Sequence, residues 1–403
     1  MSDPAPNVAP PPGHPRFPLL DGVRALAALS IVLLHVGDGT GFARTSALGA
    51  FTARMDAGVA LFFVLSGFLL YRPFVASRLE ARPAPSAGRY LRRRLLRIVP
   101  AFWVAMLVMG ALGWISVLNG DWWRYFGFVQ NLSVETVLGG IRPAWSLCVE
   151  MSFYLVLPLW ALGLARLLRG RPARTQIRAE AIALGALALA SLALRAAFFD
   201  ADHGSLWLVT LPAFLDWFAV GMGLALASVA LAGREPRAAV LRRAWLAWAG
   251  AAACFAVVSL VVPLPRGLVA ARTVEAHLAQ HVLYIAVGAL VALPGIFGIR
   301  PDAEPASRAI GRFLGHPVMA WLGLVSYGIF LWHQPLIQPL TDHGALDLIP
   351  GMPFPSLVLS LTVVSAAVAA TSYYLLERPI LRFKDSRRRP EAATASPAPA
   401  TLG

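Results

Sequence analysis

Arg24 and His35 stand inside the first long apolar run of this chain, which extends from Phe17 to beyond His35. A guanidinium or an imidazole within hydrocarbon costs several kcal/mol unless it is paired or has a task. The two are eleven residues apart. On a helix that is three turns plus about 20°, so both side chains share one face, with a rise of about 16 Å between them. That rise is about half the thickness of a bilayer core. With Arg24 at one interface, His35 is expected near mid-membrane. An imidazole at depth can serve as a general base or a nucleophile, and a guanidinium can hold phosphate or compensate developing negative charge.

Other residues extend this candidate centre. Asp56 opens the second apolar run, where an acid either suits the helix dipole or fixes the tautomer or charge of His35. Ser66-Gly67 reads as a small-residue pair for close helix packing rather than chemistry. The densest positive charge lies between the second and third apolar runs, with Arg93, Arg94 and Arg97 at its centre. Arg94 and Arg97 are three apart and face one way, where two guanidinium forks can grip phosphate oxygens. The cluster is either a topology anchor on lipid phosphates or a site for a phosphorylated donor from the cytoplasm. Coenzyme A, with its pyrophosphate and 3′-phosphate, would suit it.

Farther along, Trp145 and Ser146 can start a helix, with Glu150 just over one turn in. Intramembrane acids are rare, which favours a functional acid over a dipole partner. An aromatic ring beside a carboxylate also suits a sugar, the ring on C–H faces and the acid on hydroxyls. Trp122, Trp123 and Tyr125 read as an interfacial aromatic belt. Pro212 with Asp216 one turn on is a place where a helix bends and lines a cavity, or where Asp216 finds an internal partner. Arg195 is expected near the external interface, snorkelling. Ser326, Tyr327 and His333 fall in or near the external half of the ninth apolar run. There His333 reads more readily as a satisfied structural histidine than as a catalyst. Glu377-Arg378 reads as a local ion pair where the last helix stops.

The elements that position these residues are set by composition. The 403 residues are 58% hydrophobic and 14% charged, with a mean hydropathy of +0.65. No soluble fold hides that much apolar surface, so the fold class is an all-α membrane protein. Ten transmembrane spans are drawn, at about 19–38, 57–72, 98–117, 145–165, 179–198, 206–231, 244–263, 278–298, 318–338 and 355–376. Placing both termini in the cytoplasm puts 27 of the 35 Lys and Arg on that side, counting Arg72 at the cytoplasmic edge of its span. Six fall outside (Arg44, Arg54, Arg124, Arg142, Arg266, Arg272), and Arg24 and Arg195 fall within spans. The net charge of +14 is therefore spread between spans and speaks against nucleic acid as a partner. Cys148 and Cys254 both lie in spans, so no structural disulfide is implied. Residues 1–17 read as a disordered Pro-rich leader rather than a signal peptide, 18–384 as one membrane domain without internal repeats, and 385–403 as a disordered tail with a basic start.

Six segments in order resemble the acyltransferase 3 family of integral membrane acyltransferases. They are Leu20 to Ala28 ending at His35, Leu61 to Phe68, Arg92 to Pro100, Trp145 to Glu150 with Phe153-Tyr154, Ser326 to His333, and Leu376 to Pro379. The resemblance spans about residues 18–384. It implies transfer of an acyl group, commonly acetyl, from cytoplasmic acyl-CoA to a carbohydrate or related acceptor, without a permanently bound cofactor. Residue by residue, Arg24 and His35 match the family's basic residue–x10–His pair, Arg94 and Arg97 its Arg-x-x-Arg motif, and Glu150 its acid after Trp-Ser. Two departures stand out. Many members carry Asp in Gly-Val-Asp-Leu-Phe-Phe, where this chain has Ala60, with Asp56 one turn earlier as the substitute. The resemblance also implies a chain without the extracytoplasmic esterase-like domain that some members append.

The expected function is membrane O-acylation in a bacterial inner membrane, with acetyl-CoA as donor and a carbohydrate, glycolipid or glycosylated metabolite as acceptor. His35, Arg24, Glu150 and Asp56 form the candidate catalytic set. Arg93, Arg94 and Arg97 form the candidate donor site. Trp145, Ser146, Tyr327 and His333 form the candidate acceptor site, and no metal ligands are assigned. The competing class is a transporter that carries a glycan or lipid-linked sugar without touching a thioester.

Overall fold

The computed structural model describes residues 17–80, 82–199, 205–232, 238–263 and 273–383. Leader residues 1–16, the tail 385–403, Arg266 and Arg272 lie outside the described residues. Every regular element among the described residues is helical. The principal helices are α1 (Leu19–Gly39), α2 (Ala57–Leu79), α3 (Ala87–Ala111), α4 (Ala144–Leu167), α5 (Ala173–Ala197) and α6 (Leu215–Ala230). They continue as α7 (Ala244–Leu260), α8 (Val274–Phe297), α9 (Pro305–Leu314), α10 (Pro317–Asp342) and α11 (Pro353–Ser372). A π-helical turn, Tyr373–Glu377, leads into α12 (Arg378–Phe383). Eight stretches are long and apolar enough to cross a bilayer, and α9 with α10, bent by 48°, supplies a ninth. The 17-residue α7 is shorter but equally apolar. Nine of the ten expected spans thus coincide with these stretches, the sixth irregular over its first part, and the remaining one with the shorter α7.

Large apolar side chains stand exposed along outer helix faces, among them Trp103, Leu107, Leu159, Ile182, Leu189, Leu260 and Val363. In water such patches would drive association; facing acyl chains they cost nothing. Inside the bundle, α1 is enclosed by α2, α8, α10 and α11. Close packing rests on small residues, because lipid offers no hydrophobic drive for helix association. A Cβ at Gly67 of α2 would overlap the Phe218 carbonyl, and one at Gly221 of α6 the Val64 carbonyl. Gly323 of α10 lies just as tightly on the Asp21 carbonyl of α1. The packing role expected of Gly67 is present.

Three local features differ from the sequence expectation. Helix α3 begins at Ala87, not near residue 98, so the arginine segment is helix rather than loop. The reason is periodicity: Tyr90, Arg94, Arg97, Ile98, Ala101, Phe102, Ala105 and Met109 recur at three- and four-residue steps along the inward face. Arg195 does not snorkel and is only 3% exposed. The sixth span is broken at Pro212 into two 3₁₀ turns, Leu206–Val209 and Leu211–Phe214, which leave carbonyls without helical donors. Arg195 turns inward to supply them, donating to Ala213 O at 2.7 Å and Leu208 O at 3.3 Å. Finally, the last helix does not stop at Glu377. The π turn carries it onward and buries Glu377 to 6% exposure. The Arg378 guanidinium lies over the Tyr374 ring at 5.7 Å instead of forming the expected local pair.

Candidate active site

The inward stripe of α3 ends in Arg94 and Arg97, and these meet Arg24 of α1 at one internal chamber of about 100 Å³. Helices α2, α4 and α10 complete its wall with Ser66, Ser146, Glu150, Tyr154, Tyr327 and Phe330. Apolar side chains, including Phe62, Phe63, Leu65 and Leu69 from α2, cover the rest. Glu150 accepts a hydrogen bond from Ser66 at its Oε1, and Tyr154 stands one turn along α4 on the same chamber wall. Ser66 therefore does more than permit close packing. Tyr327 donates to the Ile98 carbonyl of α3 at 2.9 Å, and Ser146 to that of Pro143 at 2.9 Å. The field of buried Glu377 also reaches Arg97 and Arg24.

The guanidinium donors of this chamber are not used up by the protein. Arg94 Nε is buried without a hydrogen-bond partner among the described residues. Forked donors aimed into a cavity walled by apolar groups suit an anion that brings its own oxygens. A buried guanidinium left without a partner is otherwise costly.

His35 does not line this chamber. Arg24 is already five residues into α1, about 8 Å along its axis, and a further rise of about 16 Å carries His35 to within four residues of Gly39. The imidazole thus lies in the C-terminal part of α1. Its ring faces that of His333 on α10, with centroids 5.2 Å apart and planes tilted by 33°. His333 is fully buried. Arg142, in the segment before α4, is near enough for its charge to act on His35. Phe330 connects the two clusters: it lines the chamber, and its ring centroid is 6.3 Å from that of His333.

Six of the eleven candidate residues therefore converge on the chamber: Arg24, Arg94, Arg97, Glu150, Ser146 and Tyr327. His35 and His333 form a second cluster one aromatic ring away. The other three stand apart. Asp56 accepts a hydrogen bond from Tyr284 of α8, beside buried Arg54. Arg93 lies about 100° around α3 from Arg94 and is not among the lining residues. Trp145 packs on Phe214 with centroids 5.6 Å apart, and Phe63 stands between that pair and the chamber. Sequence reasoning missed Tyr154, Phe330 and Glu377. The i+4 step from Glu150 to Tyr154 and the three-residue step from Phe330 to His333 were available signals; a π turn leaves none.

The structure is thus a polytopic helical membrane protein with an arginine-lined internal chamber next to a histidine pair. The acyltransferase 3 family model, described as an acyltransferase domain, matches residues 17–374, and the chain belongs to this family. It is similar to the acyltransferase MdmB of Streptomyces mycarofaciens, 33% identical over 41% of this chain and 43% of that protein. The peptidoglycan O-acetyltransferase OatA of Listeria monocytogenes is 25% identical over 90% of this chain and 55% of that protein. The exopolysaccharide production protein ExoZ of Rhizobium meliloti is 26% identical over 89% and 96%. The chain spans about half the length of the first two. No solved structure matches.

Proposed function

We propose that this protein is a membrane O-acyltransferase that moves an acyl group, acetyl in the simplest case, from acyl-CoA to a hydroxyl of a carbohydrate or glycolipid. The observation that carries this is the convergence of Arg24, Arg94 and Arg97 on one chamber, one aromatic ring from His35. The arginines hold the donor's phosphates from the cytoplasmic side, with both chain termini on that side. The pantetheine arm, a chain of the same order of length as the Arg24–His35 rise, extends past Phe62 and Phe330 towards His35. Neutral His35 then takes the proton of the acceptor hydroxyl, or carries the acyl group briefly itself. Arg142 and the external end of α1 mark the side from which the acceptor enters.

The names of the relatives favour a polysaccharide acceptor, since one is called a peptidoglycan O-acetyltransferase and another an exopolysaccharide production protein. Their sources favour a bacterial cytoplasmic membrane. The test is thiol release from acetyl-CoA by purified protein with a panel of sugar acceptors. Release that requires acceptor and is lost in Arg94→Ala/Arg97→Ala is the expected result. A protein that binds glycan and leaves every thioester intact is a transporter, and the proposal is then wrong.

A further inference from the structure

His333 offers a second imidazole that the proposed chemistry has not used. Its Nδ1 lies 3.0 Å from the Ile329 carbonyl, one turn back on α10. A carbonyl only accepts, so Nδ1 carries the proton and Nε2 is left with its lone pair. That Nε2 is buried and has no hydrogen-bond partner among the described residues. A buried acceptor is rarely left so, and each case calls for a reason. The ring facing it is His35. Two imidazoles joined by one N–H···N bond have centroids about 5 Å apart, given ordinary hydrogen-bond lengths; these are 5.2 Å apart.

We propose that His333 is the positioning residue for His35: a small turn of the facing rings lets its unpartnered Nε2 accept the N–H of His35, which decides which His35 nitrogen keeps the lone pair for the acceptor. The inference rests on His35 acting on the acceptor hydroxyl, and it deepens that reading. During transfer, the acceptor O–H gives its proton to the free nitrogen of His35. Its oxygen forms a bond to the thioester carbonyl carbon, the C–S bond breaks, and the coenzyme A thiolate leaves. The His35 imidazolium then returns a proton to the thiolate or to water. His333 stays neutral throughout, its one proton kept on Nδ1 and donated to the Ile329 carbonyl. Its lone pair stabilises the transient imidazolium, a role that a third group plays for the catalytic histidine in hydrolase triads. This assignment removes His333 from the acceptor-binding set and explains why it is buried rather than presented to a sugar.

Kinetics of His35→Ala, His333→Leu and His333→Gln in the full-length protein separate the roles, with thermal melting confirming the fold of each. Leucine keeps the volume and lacks the acceptor atom, whereas glutamine can present an amide oxygen to His35. His333→Leu is expected to lower kcat by about 100-fold, a typical share of acid–base catalysis, and to leave the acceptor KM within about twofold of the wild type. His333→Gln is expected to recover at least about tenfold of that loss, which filling space alone does not explain. Equal activity of the leucine and glutamine variants, or a leucine effect confined to KM, would overturn the proposal. If His35→Ala itself keeps full turnover, the underlying assignment of His35 fails instead, and the two failures are told apart.

Discussion

Two of the clusters of buried ionisable groups in this bundle are built on opposite principles. In the first, around the break in the sixth span, Asp216 meets His281 at 2.7 Å and accepts from Ser191 at 3.2 Å. Arg195 spends its donors on the Ala213 and Leu208 carbonyls and lies 3.0 Å from His277. Arg54 donates from its terminal nitrogens to Gln280 Oε1 at 2.6 Å and to the carbonyls of Val262 and Pro263, and only its Nε has no partner among the described residues. In the second cluster, Arg24, Arg94 and Arg97 surround a cavity, and Arg94 keeps a buried donor without a partner. Satisfied charge holds irregular backbone together, while charge with spare hydrogen-bonding capacity waits for a ligand. Neither burial nor one unpartnered Nε, which Arg54 shares, separates the two; the cavity beside Arg94 does.

Four substitutions probe that contrast. The largest expected effect is His35→Ala, with kcat reduced by about 10³-fold or more and an unchanged melting temperature, read by acceptor-dependent thiol release. Next is Arg195→Leu, which strands the carbonyls around Pro212 and is expected to cost about 3 kcal/mol of stability. Its folded fraction should keep wild-type Michaelis constants, as thermal unfolding followed by steady-state assay would reveal. A large rise in donor KM there would erase the distinction between the clusters. Arg97→Ala is expected to do the reverse: weaken the donor by about 10- to 100-fold, the worth of a hydrogen bond to a charged group, with little change in melting. The smallest is Ser66→Ala. It removes the hydroxyl that donates to Glu150 and should cut kcat/KM by about threefold to fivefold, or roughly 1 kcal/mol. No change in kcat/KM would show that Glu150 needs no such support.

The spans were legible because each long helix announces itself locally, as about twenty apolar residues. The convergence of Arg94 and Arg97 was also legible, since their three-residue step continues the stripe of Ile98, Ala101 and Phe102 down α3. What the sequence hid depends on irregular backbone or on distant partners. Arg195 looked like a snorkelling residue because nothing in its own helix reports the 3₁₀ turns it supports. Glu377 looked like a partner of Arg378 because a π turn shifts the helical register by one residue, which no apolar periodicity records. Asp56 was weighed as the partner of His35, whereas a tyrosine more than two hundred residues later, Tyr284, donates to it. The pairing of His35 with His333 joins the first long helix to α10, and only the packing of α1 against α10 brings them together.

The most direct measurement is binding of coenzyme A to the purified protein, by calorimetry, for the wild type, Arg94→Ala/Arg97→Ala and Arg195→Leu. The expected result is binding by the wild type and by folded Arg195→Leu, and a loss of at least about 100-fold in the double variant, two charge-assisted contacts removed together. Equal affinity in all three would contradict the assignment of the arginine chamber to the donor.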